Sequence, residues 1–118
     1  MEIAVRTRDL AGNENLRQLV ERRIDYAVDR HKNRIGRISV RLSDLNGPRG
    51  GIDKLCQMTA DVRGIGTVLI TEKGSNLLEA IANAAGRLGL RIRGSIERQR
   101  QSKKPDRRAT IRRSMMGF

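Results

Sequence analysis

The side chains that could do chemistry in this sequence are almost all cationic. Lys and Arg together number 25, Asp and Glu number 13, and the formal net charge is +12. Guanidinium and ammonium groups bind phosphate oxygens, so this balance favours a polyanionic partner such as a nucleic acid. The charge is uneven along the chain, because residues 91 to 118 alone carry 10 basic and 2 acidic side chains.

Side chains for catalysis or metal binding are scarce. His31 is the only histidine and Cys56 the only cysteine, so neither a Cys/His cluster nor a histidine-carboxylate pair can be assembled. The glycine-rich segments at Gly47 and Gly64 lack a following Lys-Ser/Thr pair and do not lie between a strand and a helix, which favours turns over phosphate loops. We therefore predict a protein that is not an enzyme and has no metal, no cofactor and no small-molecule substrate.

The compartment can also be predicted. A lone cysteine in an apolar alternation excludes an internal disulfide and favours a reducing environment. The first ten residues lack the pattern of an export signal, and no window approaches the roughly 18 apolar residues of a membrane span. We expect a soluble, cytoplasmic protein without a membrane partner.

Strand and helix patterns alternate in the first third of the chain. Glu2 to Arg6 alternates polar and apolar residues as a short strand does. Asn13 can then cap a helix that runs to about Arg34, in which apolar residues recur every three and four positions.

Three strand patterns and a second helix follow. Alternation predicts strands at residues 37–43, 53–62 and 67–72, separated by a loop from Asn46 to Gly51 and a hairpin turn at Gly64 and Gly66. Asn76 and Glu79 have the spacing of a capping box, which begins a helix that ends between residues 90 and 98. Gly86 and Gly89 in this helix are typical of close packing positions.

The order of elements is β-α-β-β-β-α. Two apolar helix stripes need an apolar sheet face, so we predict an α+β fold in which both helices pack on one face of a four-stranded sheet. The helical crossover places the first strand parallel to its neighbour, and the last three strands pair antiparallel. Residues 1–93 form this domain, and residues 94–118, with almost no periodic apolar content, are expected to be a basic, disordered tail.

The candidate phosphate contacts lie on the two helices and in the tail. Only Tyr26 and Phe118 are aromatic, so a sheet that stacks bases is not available, and recognition through phosphates and shape is favoured. Parallel helices could bring their basic residues into one continuous ridge. The candidates are Arg17, Arg22, Arg23, Arg30 and Lys32 on the first helix, Arg87, Arg91 and Arg93 on the second, and Lys103, Lys104, Arg107 and Arg108 in the tail.

Several short motifs occur in a familiar order. They are the opening strand, Leu16-Arg17-Gln18 with Val20 and Arg23, Arg34-Ile35 before the second strand, Gly66 with the strand to Lys73, and Ala80-Ile81 followed by Arg87-Leu88. With these motifs, residues 2 to 93 resemble the family of ribosome hibernation-promoting factors and ribosome-associated translation inhibitors. The sequence departs from the family at Tyr26, where many members have Lys, and at residues 75–78.

The resemblance implies a function. It implies a domain on the small ribosomal subunit, in the groove of the messenger and of the A-site and P-site tRNAs, which stops translation by occupancy. It also implies that Arg17, Arg23 and Arg87 contact ribosomal RNA, with Arg91 and Arg93 close to further basic positions. We expect the short, single-domain form of the family. Whether ribosomes dimerise and whether further hibernation factors join stays open.

Two other functions remain open at this point. One is a general nucleic-acid binder whose tail holds DNA and RNA alike, and which would bind duplex DNA about as well as ribosomal RNA. The other is a protein-interaction module that uses the exposed sheet face, where Leu55 and Leu69 stand among polar residues. If the tail does track RNA, removing residues 94–118 should weaken binding and flatten its salt dependence.

Overall fold

The structure is a computed structural model that describes residues 1–8, 14–44 and 54–103, without the side chains of Arg8, Ser102 and Lys103. The predicted cap at Asn13 and the predicted loop from Asn46 to Gly51 lie outside the described residues. So does the part of the predicted tail that follows Lys103.

The described elements follow the predicted order. They are β1 (Glu2–Arg8), α1 (Glu14–Ala27), a 3-10 helix (Asp29–Arg34), β2 (Ile35–Asp44), β3 (Lys54–Val62), β4 (Gly66–Gly74) and α2 (Leu77–Lys103). The strands form one sheet in the order β1-β2-β3-β4, in which β1 is parallel to β2 and the other pairs are antiparallel. The predicted α+β fold is confirmed.

The core lies between one face of the sheet and the two helices. Period-two alternation turns residues such as Val40 of β2 and Met58 of β3 inward, and both are at most 1% exposed. Ile24 of α1 and Leu88 of α2 cover them and are fully buried in the same cluster. Each such side chain contributes about 1.5–3 kcal/mol by burial, and truncating Ile24 or Leu88 to Ala would cost about 2–5 kcal/mol.

The first helical region is divided, whereas the sequence predicted one helix to Arg34. α1 ends at Ala27, and His31 leaves helical geometry with φ −123° and ψ 15° inside the 3-10 segment. The tighter turn is visible where the His31 amide donates to the carbonyl of Val28 at 2.8 Å. Periodicity could not reveal the division, because Val28 continues the buried stripe of α1.

The second helix is longer than predicted. α2 continues to Lys103, so the expected helix end between residues 90 and 98 is wrong, and so is the expectation that a coil begins at Gly94. The physical reason is that Ile92 and Ile96 extend the stripe of Leu88 at a spacing of four, and both are buried. The predicted boundary between residues 93 and 94 therefore falls inside α2.

Two of the predicted connections lie within the described residues, and both are confirmed. Gly64 and Gly66 adopt φ values of 82° and 107°, which glycine adopts at no steric cost, and form the β3-β4 hairpin turn. Asn76 caps α2, since its Oδ1 accepts the Glu79 amide at 2.8 Å. The Glu79 carboxylate returns to the amide of Ser75 at 3.3 Å, one residue before the reciprocal bond of a standard capping box.

Candidate nucleic-acid interface

The two helices pack closely against each other at Gly89. A Cβ atom added there would lie 2.5 Å from the carbonyl oxygen of Ala27, so only glycine permits this contact. The close packing predicted for Gly89 is confirmed. The same prediction is wrong for Gly86, where an added Cβ would meet nothing within 4 Å. The contact brings the basic residues that flank it to the two sides of a shallow groove.

This interhelical groove has a floor of small residues and walls of arginine. Its volume is about 540 Å³, and Ala82, Ala85, Gly86 and Gly89 lie at its base. The walls carry Arg23, Tyr26, Arg30 and His31 on one side and Arg93 on the other. Asp29 is the one acidic residue among the lining residues that the structure describes, and its Oδ1 lies 3.2 Å from the ammonium of Lys32. The groove is therefore cationic.

Positive charge is concentrated around His31. The Nε2 atom of this histidine is buried and has no hydrogen-bond partner among the described residues. Burial lowers the pKa of His31 from 6.5, and the charges of Arg100, Arg34, Arg30 and Arg93 lower it further. The lowered pKa favours the neutral imidazole, and the guanidinium groups near it come from two elements, the 3-10 helix and α2. A phosphate bound here would offset charges that otherwise repel one another.

Three of the predicted contacts form ion pairs within the domain. Arg17 Nε lies 3.4 Å from Glu21 Oε1, and Arg87 Nε lies 3.3 Å from Glu72 Oε2. Lys32 Nζ lies 2.6 Å from Asp25 Oδ1, and hydrogen bonds to Asp25 and then Asp29 raise the pKa of Lys32. Exposed pairs of this kind contribute about 0–1 kcal/mol, so the Arg17 and Arg87 guanidinium groups can still exchange a carboxylate for a phosphate.

The predicted candidates do not form one ridge. Arg23, Arg30 and Arg93 share the interhelical groove. Arg22 lies on the β1 side of α1, beside Glu21 and Asp25. On the β4 side of α2, Arg87 and Arg91 lie together with Arg98 and Ile70. The side chain of Lys103 is not described, and Lys104, Arg107 and Arg108 lie outside the described residues, so their contacts stay predictions.

Sequence reasoning missed some residues of this surface. Tyr26 is 88% exposed on the groove wall, which is unusual for a large aromatic side chain unless it contacts a partner. Arg100 lies seven residues after Arg93, which is a same-face spacing on a helix. That signal was hidden because residues after Gly94 were predicted to be coil.

The described part of the chain has no metal-binding cluster and no helix that could span a membrane. No group of three or more His, Cys, Asp or Glu residues that could hold a metal ion occurs within residues 1–8, 14–44 and 54–103. Burial raises the pKa of the Cys56 thiol to about 12, so the thiol stays protonated and unreactive at neutral pH. Neither described helix combines the length and apolarity needed to cross a membrane.

The fold is that of a known class of ribosome-associated domains. A ribosomal subunit interface protein from Coxiella burnetii superposes with a TM-score of 0.64 at 13% identity, over 77% of this chain and 92% of its own. The N-terminal domain of Protein Y from Thermus thermophilus superposes with a TM-score of 0.65 at 25% identity, over 78% and 96%. Both are hibernation-promoting factor family members, so the resemblance seen in the sequence is confirmed in the structure. Neither a family model nor a curated protein sequence matches the chain.

Proposed function

We propose that this protein is a ribosome-associated translation inhibitor that binds RNA of the small ribosomal subunit through the interhelical groove. One observation carries the proposal. Three guanidinium groups, those of Arg23, Arg30 and Arg93, face one groove on a domain whose fold is shared with ribosome-associated proteins. Among the described residues none of the three has a carboxylate within ion-pair distance.

The groove can hold the phosphate backbone of folded RNA. Arginine forms bidentate hydrogen bonds with phosphate oxygens, and the small floor residues let a backbone approach closely. Tyr26 can stack on an unpaired base or a ribose at the rim. Three phosphate contacts would make the logarithm of affinity fall with the logarithm of salt concentration with a slope of about 2–3.

Inhibition of translation by such a protein requires no chemical reaction. A domain that occupies the messenger and tRNA sites excludes their normal occupants for as long as it stays bound. We infer a cytoplasmic, non-enzymatic protein that acts through the charged surface of the groove and whose effect depends on concentration, affinity and competition with tRNA and messenger.

The remaining basic candidates extend this surface. Arg17, Arg22 and Lys32 on one flank and Arg87 and Arg91 on the other are proposed as peripheral phosphate contacts. The tail beyond Lys103 is proposed to follow neighbouring RNA. Because α2 reaches Lys103, the variant that tests the tail should end there, since removal of residues 94–118 would also delete buried Ile96.

Sedimentation with purified small subunits tests the proposal. The full chain should sediment with them at physiological salt, should be displaced by pre-bound messenger and tRNA, and should reduce peptide synthesis in a reconstituted system. Equal binding to duplex DNA of the same charge would favour the general nucleic-acid binder. If the small subunits do not bind the protein, or if bound protein leaves peptide synthesis unchanged, the proposal is wrong.

A further inference from the structure

The face of the sheet opposite the helices carries its own charge pattern. Its exposed residues form rows across the strands, because register partners point to the same side. One row contains Glu2, Arg37, Asp61 and Thr67. A row nearer the carboxyl end of β1 contains Arg6, Arg41, Gln57 and Thr71. The first row is balanced by its own acids, whereas the second holds two cations and no acid.

Arg6 and Arg41 are direct partners on neighbouring parallel strands, and both are exposed. Strands in a sheet lie about 4.8 Å apart, so two guanidinium groups leave the backbone side by side. Like charges directly opposite each other destabilise a sheet. Among the described residues neither arginine has a carboxylate within ion-pair distance, in contrast to Arg37, whose Nε lies 4.0 Å from Glu2 Oε1.

The acids of the balanced row are too far away to neutralise this pair. Arg6 follows Glu2 by four residues on β1, and Arg41 follows Arg37 by four on β2. Four residues of strand span about 13 Å, which exceeds the screening length of about 8 Å at physiological salt. The repulsion between Arg6 and Arg41 is therefore not relieved within the described domain.

Hydrogen-bonding side chains lie around the pair, with Leu55 at one edge. Gln57 and Thr71 continue the row, and Ser39 and Thr59 lie in the next one. Hydroxyl and amide groups of this kind donate to phosphate oxygens. Leu55 and Leu69, by contrast, lie in different rows about 13 Å apart, since Leu55 pairs with Lys73 and Leu69 pairs with Thr59. They form no continuous apolar patch for a protein partner.

We propose that this face is a second anion-binding surface, centred on Arg6 and Arg41, which takes the phosphate backbone of a second RNA segment. The choice of RNA rests on the proposed function, whereas the surface itself rests on the unrelieved pair of cations. Because the interhelical groove lies on the other side of the sheet, the domain can hold two RNA segments at once and bridge them.

Binding stoichiometry tests this proposal. The full chain is titrated at low salt with an RNA hairpin too short to reach both faces, and we expect two hairpins per protein. The double variant R6Q/R41Q should bind one, with the second affinity weakened about tenfold or more, and its salt slope should fall by about 1.4–1.8. The control R63Q/K73Q removes the same charge from exposed residues outside the cavities that Arg6 and Arg41 line, and should still bind two.

Thermal stability should change in the opposite direction to RNA binding in the same variant. Relief of the repulsion should raise the Tm of R6Q/R41Q by about 1–4 °C while the second hairpin is lost. A lower Tm together with lost binding would mean that the arginines are structural, and an unchanged stoichiometry would also overturn the proposal. The proposal would also be overturned if a polyglutamate peptide displaced the second hairpin as effectively as RNA of equal charge does.

The two proposals fail in different ways. If the groove does not bind RNA, R23Q/R93Q leaves the first equivalent unaffected, whatever happens at the sheet. If the sheet face does not bind RNA, R6Q/R41Q leaves the second unaffected, whatever happens in the groove.

Discussion

Arg34 donates a hydrogen bond through Nη2 to Oε1 of Gln99, at 2.9 Å. The same Gln99 donates through Nε2 to the carbonyl of Gly64 at 2.6 Å, and Arg34 also donates to the carbonyl of Arg63 at 3.0 Å. These bonds tie the last turns of α2 to the β3-β4 hairpin and to the end of the 3-10 helix. They explain how the helix continues past Gly94 and holds Arg93 and Arg100 near His31.

Gln99→Ala should loosen this end of α2. The Arg34 guanidinium and the Gly64 carbonyl would each lose a partner, so we expect the free energy of unfolding to fall by about 1–2 kcal/mol. Urea denaturation measures the fall, and hydrogen exchange should locate faster opening after Ile96. Gln101→Ala, at an exposed position, is the matched control. Equal effects of the two variants would contradict the role given to Gln99.

Substitution of Gly89 and of Gly86 by alanine should change the stability of the domain in opposite directions. Gly89→Ala drives a methyl group against the Ala27 carbonyl and should destabilise the domain by about 1–3 kcal/mol. Gly86→Ala meets open space and should stabilise it by up to about 1 kcal/mol through helix propensity. Thermal denaturation of both variants decides the matter, and a stable Gly89→Ala would mean that the helices are not closely packed there.

The lowered pKa of His31 gives stability a pH dependence. Because the folded state favours the neutral imidazole, this contribution is fully present above pH 6.5 and is lost as the pH falls below that value. Wild type should therefore lose more stability on acidification than His31→Gln does. Phosphate in the groove should oppose the arginine charges and raise the pKa again. NMR of the single histidine with and without RNA measures this shift, and an unchanged pKa would place the RNA elsewhere.

Tyr26 provides an optical test of the groove. The chain has one tyrosine and no tryptophan, so its intrinsic emission reports on this position alone. RNA that occupies the groove should quench the emission, and Tyr26→Leu should weaken binding because stacking contributes about 1–3 kcal/mol per base. Tyr26→Phe keeps the ring and should bind as wild type does. Tight RNA binding with unchanged emission would rule out stacking by Tyr26.

Periodicity was enough to predict the sheet and both helices, because each has one apolar face that must be buried. It could not divide α1 from the 3-10 helix, since the buried stripe runs on through Val28. It also missed the last turns of α2. There the stripe shrinks to Ile96, and stability comes from the bonds of Gln99 to distant residues.

The candidate site was only partly predictable. Residue type alone identified Arg23, Arg30 and Arg93, but their convergence depends on the close contact of Gly89 with Ala27. The ion pairs of Arg17 and Arg87 depend on side chains whose geometry a linear pattern does not give. The pairing of Arg6 with Arg41 depends on strand register, which the sequence does not fix by itself.

The central claim is that the interhelical groove, rather than net charge alone, holds the small ribosomal subunit. Two triple variants that each remove three positive charges separate these possibilities. R23Q/R30Q/R93Q empties the groove of arginine, whereas R37Q/R63Q/K73Q removes charge from the opposite sheet face and the hairpin turn.

The decisive measurement is the affinity of both triple variants for purified small subunits by co-sedimentation across a range of salt concentrations. We predict that the groove variant loses at least about tenfold in affinity and about 2–3 from its salt slope, while the control stays close to wild type. Equal losses in the two variants would show that the protein binds by overall charge, and would contradict the account.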